Sequence, residues 1–129
     1  MDKALEMRRE VTILEDDSDI REICAYLFLM EGYTVNTYTN ISELRKSKKT
    51  PDLYLLYVML PDGNGLDMCN ELKAAPATAK VPIIIMSAHI DVYDFKGSCK
   101  AEDFISKPFN LEKLATIAAQ LIENAGLDN

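Results

Sequence analysis

At 129 residues the chain has the length of one domain, enough to bury about two-thirds of the surface its unfolded form exposes without help from disulfides. Its 48% hydrophobic and 27% charged residues are a globular balance, which argues against a disordered tail or a fibrous repeat. With 14 basic against 21 acidic residues the formal charge is −7, which disfavours nucleic acid and anionic membranes as partners.

The first ten residues alternate charges where a signal peptide needs an apolar core, and no apolar run is long enough to span a bilayer. A cytoplasmic protein is expected, with residues 1–10 as a tail. Val11 to Leu14 reads as a buried strand that stops at the acidic cluster Glu15, Asp16 and Asp17. From Ser18 the apolar residues Ile20, Ile23, Cys24, Leu27 and Phe28 recur at helical spacing, with Asp17 or Ser18 as cap and Gly32 as the stop. Thr34 to Tyr38 is a second strand. Ile41 to Lys48 is a weaker helix ended by Pro51, and it carries the only basic cluster, Arg45 to Lys49.

Leu53 to Met59 is apolar or aromatic throughout, the pattern of a strand covered on both faces and hence central in its sheet. A turn-rich loop follows, Leu60 to Gly65, and then a helix from Leu66 to Ala75 with Met68, Cys69 and Leu72 inward. Val81 to Met86 is a further buried strand. Asp91 to Lys100 is helical by position only, since Gly97 and Ser98 interrupt it. Asp103 to Ser106 is a short fifth strand, and Leu111, Leu114, Ala115, Ala118, Leu121 and Ile122 mark the final helix. The cysteines Cys24, Cys69 and Cys99 are odd in number and widely spaced, which argues against structural zinc or a disulfide framework; Cys24 and Cys69 fall on apolar helix faces.

Strands alternating with helices through short connections imply an α/β fold, a parallel sheet with right-handed crossovers and helices on both faces. Functional side chains in such a sheet gather at the carboxyl ends of the strands. Those positions hold Glu15 to Asp17, Tyr57 to Gly65, Ser87-Ala88-His89 and Lys107-Pro108. Crowded carboxylates raise one another's pKa unless a cation is present. The cluster is thus either a solvated acidic loop neutralised by Lys107 or a magnesium site built from carboxylate oxygens, a backbone carbonyl and waters. Ser87 and Lys107 together suit an anion, while a flavodoxin-type cofactor site would need a phosphate-binding loop where this chain is acidic.

At this point the chain resembles the receiver (response regulator) domain of bacterial two-component signalling, from Val11 to about Asn124. The resemblance rests on Glu15-Asp16 with Asp17, Arg21, Pro51-Asp52-Leu53, the loop Met59-Leu60-Pro61-Asp62-Gly63-Asn64-Gly65, Pro82 before Ile83 to Ala88, and Phe104 with Lys107-Pro108-Phe109. It implies a flavodoxin-like (βα)5 fold with strand order 2-1-3-4-5 over residues 11–125, and at this length no output domain is expected. It also implies magnesium held by Glu15, Asp16 and the Met59 carbonyl, a phosphoryl group contacted by Ser87 and Lys107, and Phe104 as the switch aromatic.

One position departs from that pattern. The phosphoaccepting aspartate of the family lies four residues before the loop proline, and here that residue is Tyr57. A phenol, neutral at pH 7, is a poor magnesium ligand and reaches too far, so magnesium binding is expected to be weak and aspartyl phosphorylation absent. Asp62 and Ser87 are the substitute acceptors to weigh, while the ring of Tyr57 is expected to fill the emptied pocket, its hydroxyl bonded to Lys107 or Asp16. The stretch from Ser87 to Lys107 is short for the family, and Lys100-Ala101 stands where Gly-Ala is usual. The expectation is a non-enzymatic pseudo-receiver that acts by binding a histidine kinase, another regulator or an output protein, a homodimer being a further arrangement to test. A phosphorelay receiver with a substitute acceptor, or a normal receiver that lost its aspartate sporadically or by engineering, are the alternatives.

Overall fold

The computed structural model describes residues 8–88, 97–106 and 110–127. Five strands form one parallel sheet: β1 (Glu10–Leu14), β2 (Thr34–Tyr38), β3 (Leu53–Tyr57), β4 (Ile83–Ser87) and β5 (Asp103–Ser106), in the order β2-β1-β3-β4-β5. This is the flavodoxin-like arrangement, with β3 at the centre as its unbroken apolar run predicts. The helices among the described residues are α1 (Ser18–Met30), α2 (Ile41–Lys46), α3 (Gly65–Ala74) and α4 (Leu111–Leu127). Of the helix expected over Asp91 to Lys100, residues 91–96 lie outside the described set, while Gly97 and Ser98 form a turn and Cys99 a bridge.

Side chains of a strand alternate between faces, and here both faces are covered. Leu53, Leu55, Ile84 and Met86 join Val11 and Ile13 in a cluster beneath α1 and α4, with Phe28, Leu114 and Ala118. Tyr54, Leu56, Ile83 and Ile85 point the other way, into a cluster with Leu66, Met68, Cys69 and Leu72 of α3. Each buried aliphatic or aromatic side chain is worth about 1.5–3 kcal/mol of transfer free energy, so the two clusters carry the fold.

Several boundaries differ from the sequence expectation, β1 starting at Glu10 and α3 running Gly65–Ala74 among them. Helix α2 stops at Lys46, two residues early, because Ser47 turns extended and its amide caps back on the Leu44 carbonyl at 3.0 Å. β3 ends at Tyr57. Met59 leaves the sheet and, 69% exposed, pairs with Asn64 in a two-rung antiparallel hairpin that also holds Leu60 and Gly63. β4 runs from Ile83 through Ser87 instead of from Val81 to Met86.

Within α1 the expected inward face is narrower than its apolar spacing suggests. Cys24 and Phe28 are buried, whereas Ile23 is half exposed. With Tyr26, Met30 and Leu111, all exposed, Ile23 lines an open groove of about 750 Å³ between α1 and the start of α4, edged by Asp19 and Glu22.

Candidate functional site

The loop after β1 sets the site. Its first amide, that of Glu15, donates to the Tyr38 carbonyl at 3.0 Å and so prolongs the β1–β2 pairing by one residue. The Glu15 side chain is buried, and its Oε2 accepts from the Asp17 amide at 3.3 Å. Asp17 is the N-cap of α1: its Oδ1 accepts from the Ile20 amide at 3.0 Å, occupying one of the orphan donors at the helix start. From the first turn of that helix Arg21 reaches back, its Nη1 donating to the Glu15 carbonyl at 3.0 Å and the Asp16 carbonyl at 3.2 Å. Asp16 and Asp17 are both exposed, and Asp16 enters these bonds through its carbonyl and not its carboxylate.

Tyr57 closes β3 beside this loop. It lies on the face shared by Leu53 and Leu55 and packs, half buried, against the cluster under α1 and α4. Burial raises its phenol pKa above 10.0, and the negative charges of Glu15, Asp16 and Asp17 raise it further, so the ring stands neutral among the carboxylates. Tyr57 and the acidic loop thus lie close enough for the three carboxylates to act on the phenol. Of the two expected partners of the Tyr57 hydroxyl, Lys107 or Asp16, Lys107 lies outside the described residues, with Pro108 and Phe109, as does His89.

Ser87 ends β4 one register step beyond Tyr57, which pairs with Met86; it is buried and faces Ser106 of β5 across the ladder. Phe104 of β5 pairs with Ile85 and packs on the α2–α3 side of the sheet, the face opposite to the ring of Tyr57.

The loop after β3 is held by polar ties that local sequence did not reveal. Both carboxylate oxygens of Asp62 accept backbone amides at the start of α2, Ile41 at 2.8 Å and Ser42 at 3.0 Å, which lowers the Asp62 pKa. Asn64 caps α3 through a 2.6 Å bond from the Leu66 amide. Gly65 allows the helix start to lie against the end of β3, its amide donating to the Val58 carbonyl at 2.8 Å. Asp62, expected in a turn-rich loop, also caps a helix that lies about 20 residues earlier in the chain, and only the tertiary structure brings them together.

Magnesium asks for near-octahedral oxygen donors at short range. Among the described residues no group of three or more His, Cys, Asp or Glu side chains is disposed to hold a metal. Glu15 accepts from its own loop, Asp17 caps α1 and position 57 offers a neutral phenol, so the donor set is short of what a firm site needs. No described helix is long and apolar enough to cross a membrane.

Comparison with known proteins agrees with this architecture. A family model described as the response regulator receiver domain matches residues 11–119. The DNA-binding response regulator MtrA of Mycolicibacterium paratuberculosis is 33% identical over 128 residues, covering 92% of this chain and 53% of that protein. The response regulator ArlR of Staphylococcus epidermidis is 34% identical over 108 residues, covering 81% of this chain and 48% of that protein. The chain thus spans about half the length of the curated relatives it matches. Among solved structures, the signal receiver domain of a signal transduction histidine kinase from Syntrophus aciditrophicus superposes with a TM-score of 0.80 at 28% identity, over 90% of this chain and 91% of that one.

Proposed function

The chain belongs to the response regulator receiver domain family, and from that premise we propose that it is a pseudo-receiver: a phosphorylation-independent, non-enzymatic interaction module of two-component signalling. The observation that carries this is Tyr57 at the end of β3, a neutral aromatic ring packed where the family places its phosphoaccepting aspartate. The substitute acceptors are poorly placed. Both oxygens of Asp62 are engaged by the amides of Ile41 and Ser42, and Ser87 is buried in the sheet. Magnesium binding by Glu15, Asp16 and the Met59 carbonyl is correspondingly weak, and Ser87, Phe104 and Lys107 persist as remnants of the phosphoryl pocket and switch.

A module of this kind acts through contact. Its partner is a histidine kinase, another regulator or an output protein. The groove of Ile23, Tyr26, Met30 and Leu111 offers an apolar floor, and its rim of Asp19 and Glu22 selects a basic amphipathic helix as occupant. A second copy of this chain, carrying the same charge of −7, is disfavoured there.

Beryllofluoride with magnesium tests the reading. The native chain should show no magnesium-dependent change in its amide spectrum and no mass gain from acetyl phosphate. Tyr57→Asp should recover part of both responses. Phosphate found on Tyr57, Asp62 or Ser87 of the native chain would overturn the proposal in favour of a substitute acceptor.

A further inference from the structure

Cys69 lies in α3 and Cys99 in the turn before β5, and both are buried in the one core cluster beneath α3. Two polar ties join their segments close to the thiols. Asn70 Nδ2 donates to the Ser98 carbonyl at 2.9 Å, next to the pair. One helical turn further on, Lys73 Nζ donates to both carboxylate oxygens of Glu102 at 2.9 Å, while Glu102 Oε1 also accepts from the Ile83 amide at 2.8 Å. Beside these ties the Cys99 thiol lies near enough to the Cys69 thiol to act on it directly. Cys24 is buried on the opposite face of the sheet, in a cluster that contains no other cysteine.

We propose that Cys69 and Cys99 form a modification site, an oxidisable dithiol that a peroxide converts to a disulfide joining α3 to the turn ahead of β5. Cys99 reacts first, because it sits in a turn whose Gly97 and Ser98 are exposed, while Cys69 is fully enclosed. Burial and the neighbouring thiol push the Cys69 pKa up to about 12, so Cys69 is the poorer initial nucleophile and the natural resolving partner. The Cys99 thiolate attacks one peroxide oxygen, the O–O bond breaks, and hydroxide leaves to take up a proton, giving a sulfenic acid and the first water. Cys69 sulfur then displaces hydroxide from the Cys99 sulfur; the S–O bond breaks, the S–S bond forms, and the Cys69 proton leaves with the hydroxide as the second water. Two thiols lose two electrons and two protons, and the peroxide is reduced to two waters.

The bond would close a covalent loop around β4 and fix the turn that leads into Phe104. It gives the fold a covalent input on the α3 face, chemically separate from the strand-end pocket and independent of whether that pocket takes phosphate.

The full chain is treated with hydrogen peroxide under native conditions, unfolded in N-ethylmaleimide and mapped by mass spectrometry without reduction. A peptide joined through Cys69 and Cys99 is expected, with Cys24 fully alkylated, together with a rise in Tm that dithiothreitol reverses. Cys99→Ala should leave Cys69 alkylatable after the same treatment, and Cys24→Ala should leave the cross-linked peptide unchanged. Circular dichroism of both variants separates loss of the bond from loss of the fold. Persistence of both native thiols, their conversion to sulfinic or sulfonic acids, or cross-links between chains would each overturn the proposal.

Discussion

Adding one methyl group at Gly65 tests how tightly α3 is set against the functional strand. A Cβ there would fall inside the Tyr57 carbonyl oxygen, 2.9 Å from the Tyr57 carbonyl carbon and 3.3 Å from Val58 Cα. All of these are backbone atoms at the end of the central strand, so no side chain can rotate out of the way. Overpacking typically costs about 1–3 kcal/mol, and a backbone neighbour places Gly65→Ala near the top of that range, about 3 kcal/mol. Alanine returns at most about 1 kcal/mol through its higher helix propensity, which leaves a net loss of about 2 kcal/mol. For a domain of 129 residues this lowers Tm by roughly 8 °C. Gly32→Ala is the internal comparison, since a Cβ there meets nothing within 4 Å although φ is +95°. Left-handed strain of about 1–2 kcal/mol, partly offset by about 0.4–1 kcal/mol of unfolded-state entropy, gives a smaller loss. Thermal melts followed by circular dichroism rank the two. A Gly65→Ala protein that melts with the native chain, or above Gly32→Ala, would refute the close approach of α3 to β3.

Alkaline titration reads the buried phenol and thiol. Burial, then the charges of Tyr38 and Glu10, push Tyr54 from 10.0 up to about 12, and Cys69 rises from 9.0 to about 12. Both folded values exceed the unfolded ones, so their contribution is complete below pH 9 and is lost as pH climbs toward 12: the unfolded chain releases protons first. The urea midpoint should fall across that window, and less steeply in Tyr54→Phe; an unchanged slope would count against the burial of Tyr54. For the groove, nuclear magnetic resonance titration with melittin, a basic amphipathic helix, should shift Ile23, Tyr26 and Met30 and weaken as salt rises. Tyr26→Lys, an exposed substitution, should reduce that affinity, and equal binding by both proteins would place the contact elsewhere.

What local sequence recorded best were the residues with a period-two or period-3.6 pattern and a firm stop. β2 and β5 begin and end where their composition predicts, and Asp17 caps α1 as its position before Ser18 suggests. Apolar character alone does not say which way a residue points. Ile23 and Met59 read as core but face solvent, since the inward stripe of α1 is set by the angle at which it packs on the sheet, and the chain turns away at Val58. The candidate site was legible as a set of strand ends because parallel topology forces those ends together. Asp62 on α2, Cys69 against Cys99 and Asn70 against Ser98 were not, because each joins residues more than 20 positions apart through geometry that has no local signature.

The bonds around the acidic loop bear directly on what Tyr57→Asp can restore. A loop shaped by a bound cation would depend on its carboxylates for form. Here two of the carboxylates are tied to backbone amides, Asp17 to that of Ile20 and Glu15 to that of Asp17, and Arg21 holds the Glu15 and Asp16 carbonyls. Arg21 also places a positive charge beside the acids and so lessens the repulsion that three neighbouring carboxylates would otherwise suffer. On the far side Asp62 and Asn64 fix the β3–α3 loop by capping two helices. A carboxylate introduced at position 57 therefore meets Asp16 and Glu15 already in place, and the ring it replaces is only half buried, so its removal leaves a small cavity at the surface instead of a void in the core. The recovery should be partial because Glu15 is already bonded to the Asp17 amide and would have to turn from it to reach a cation.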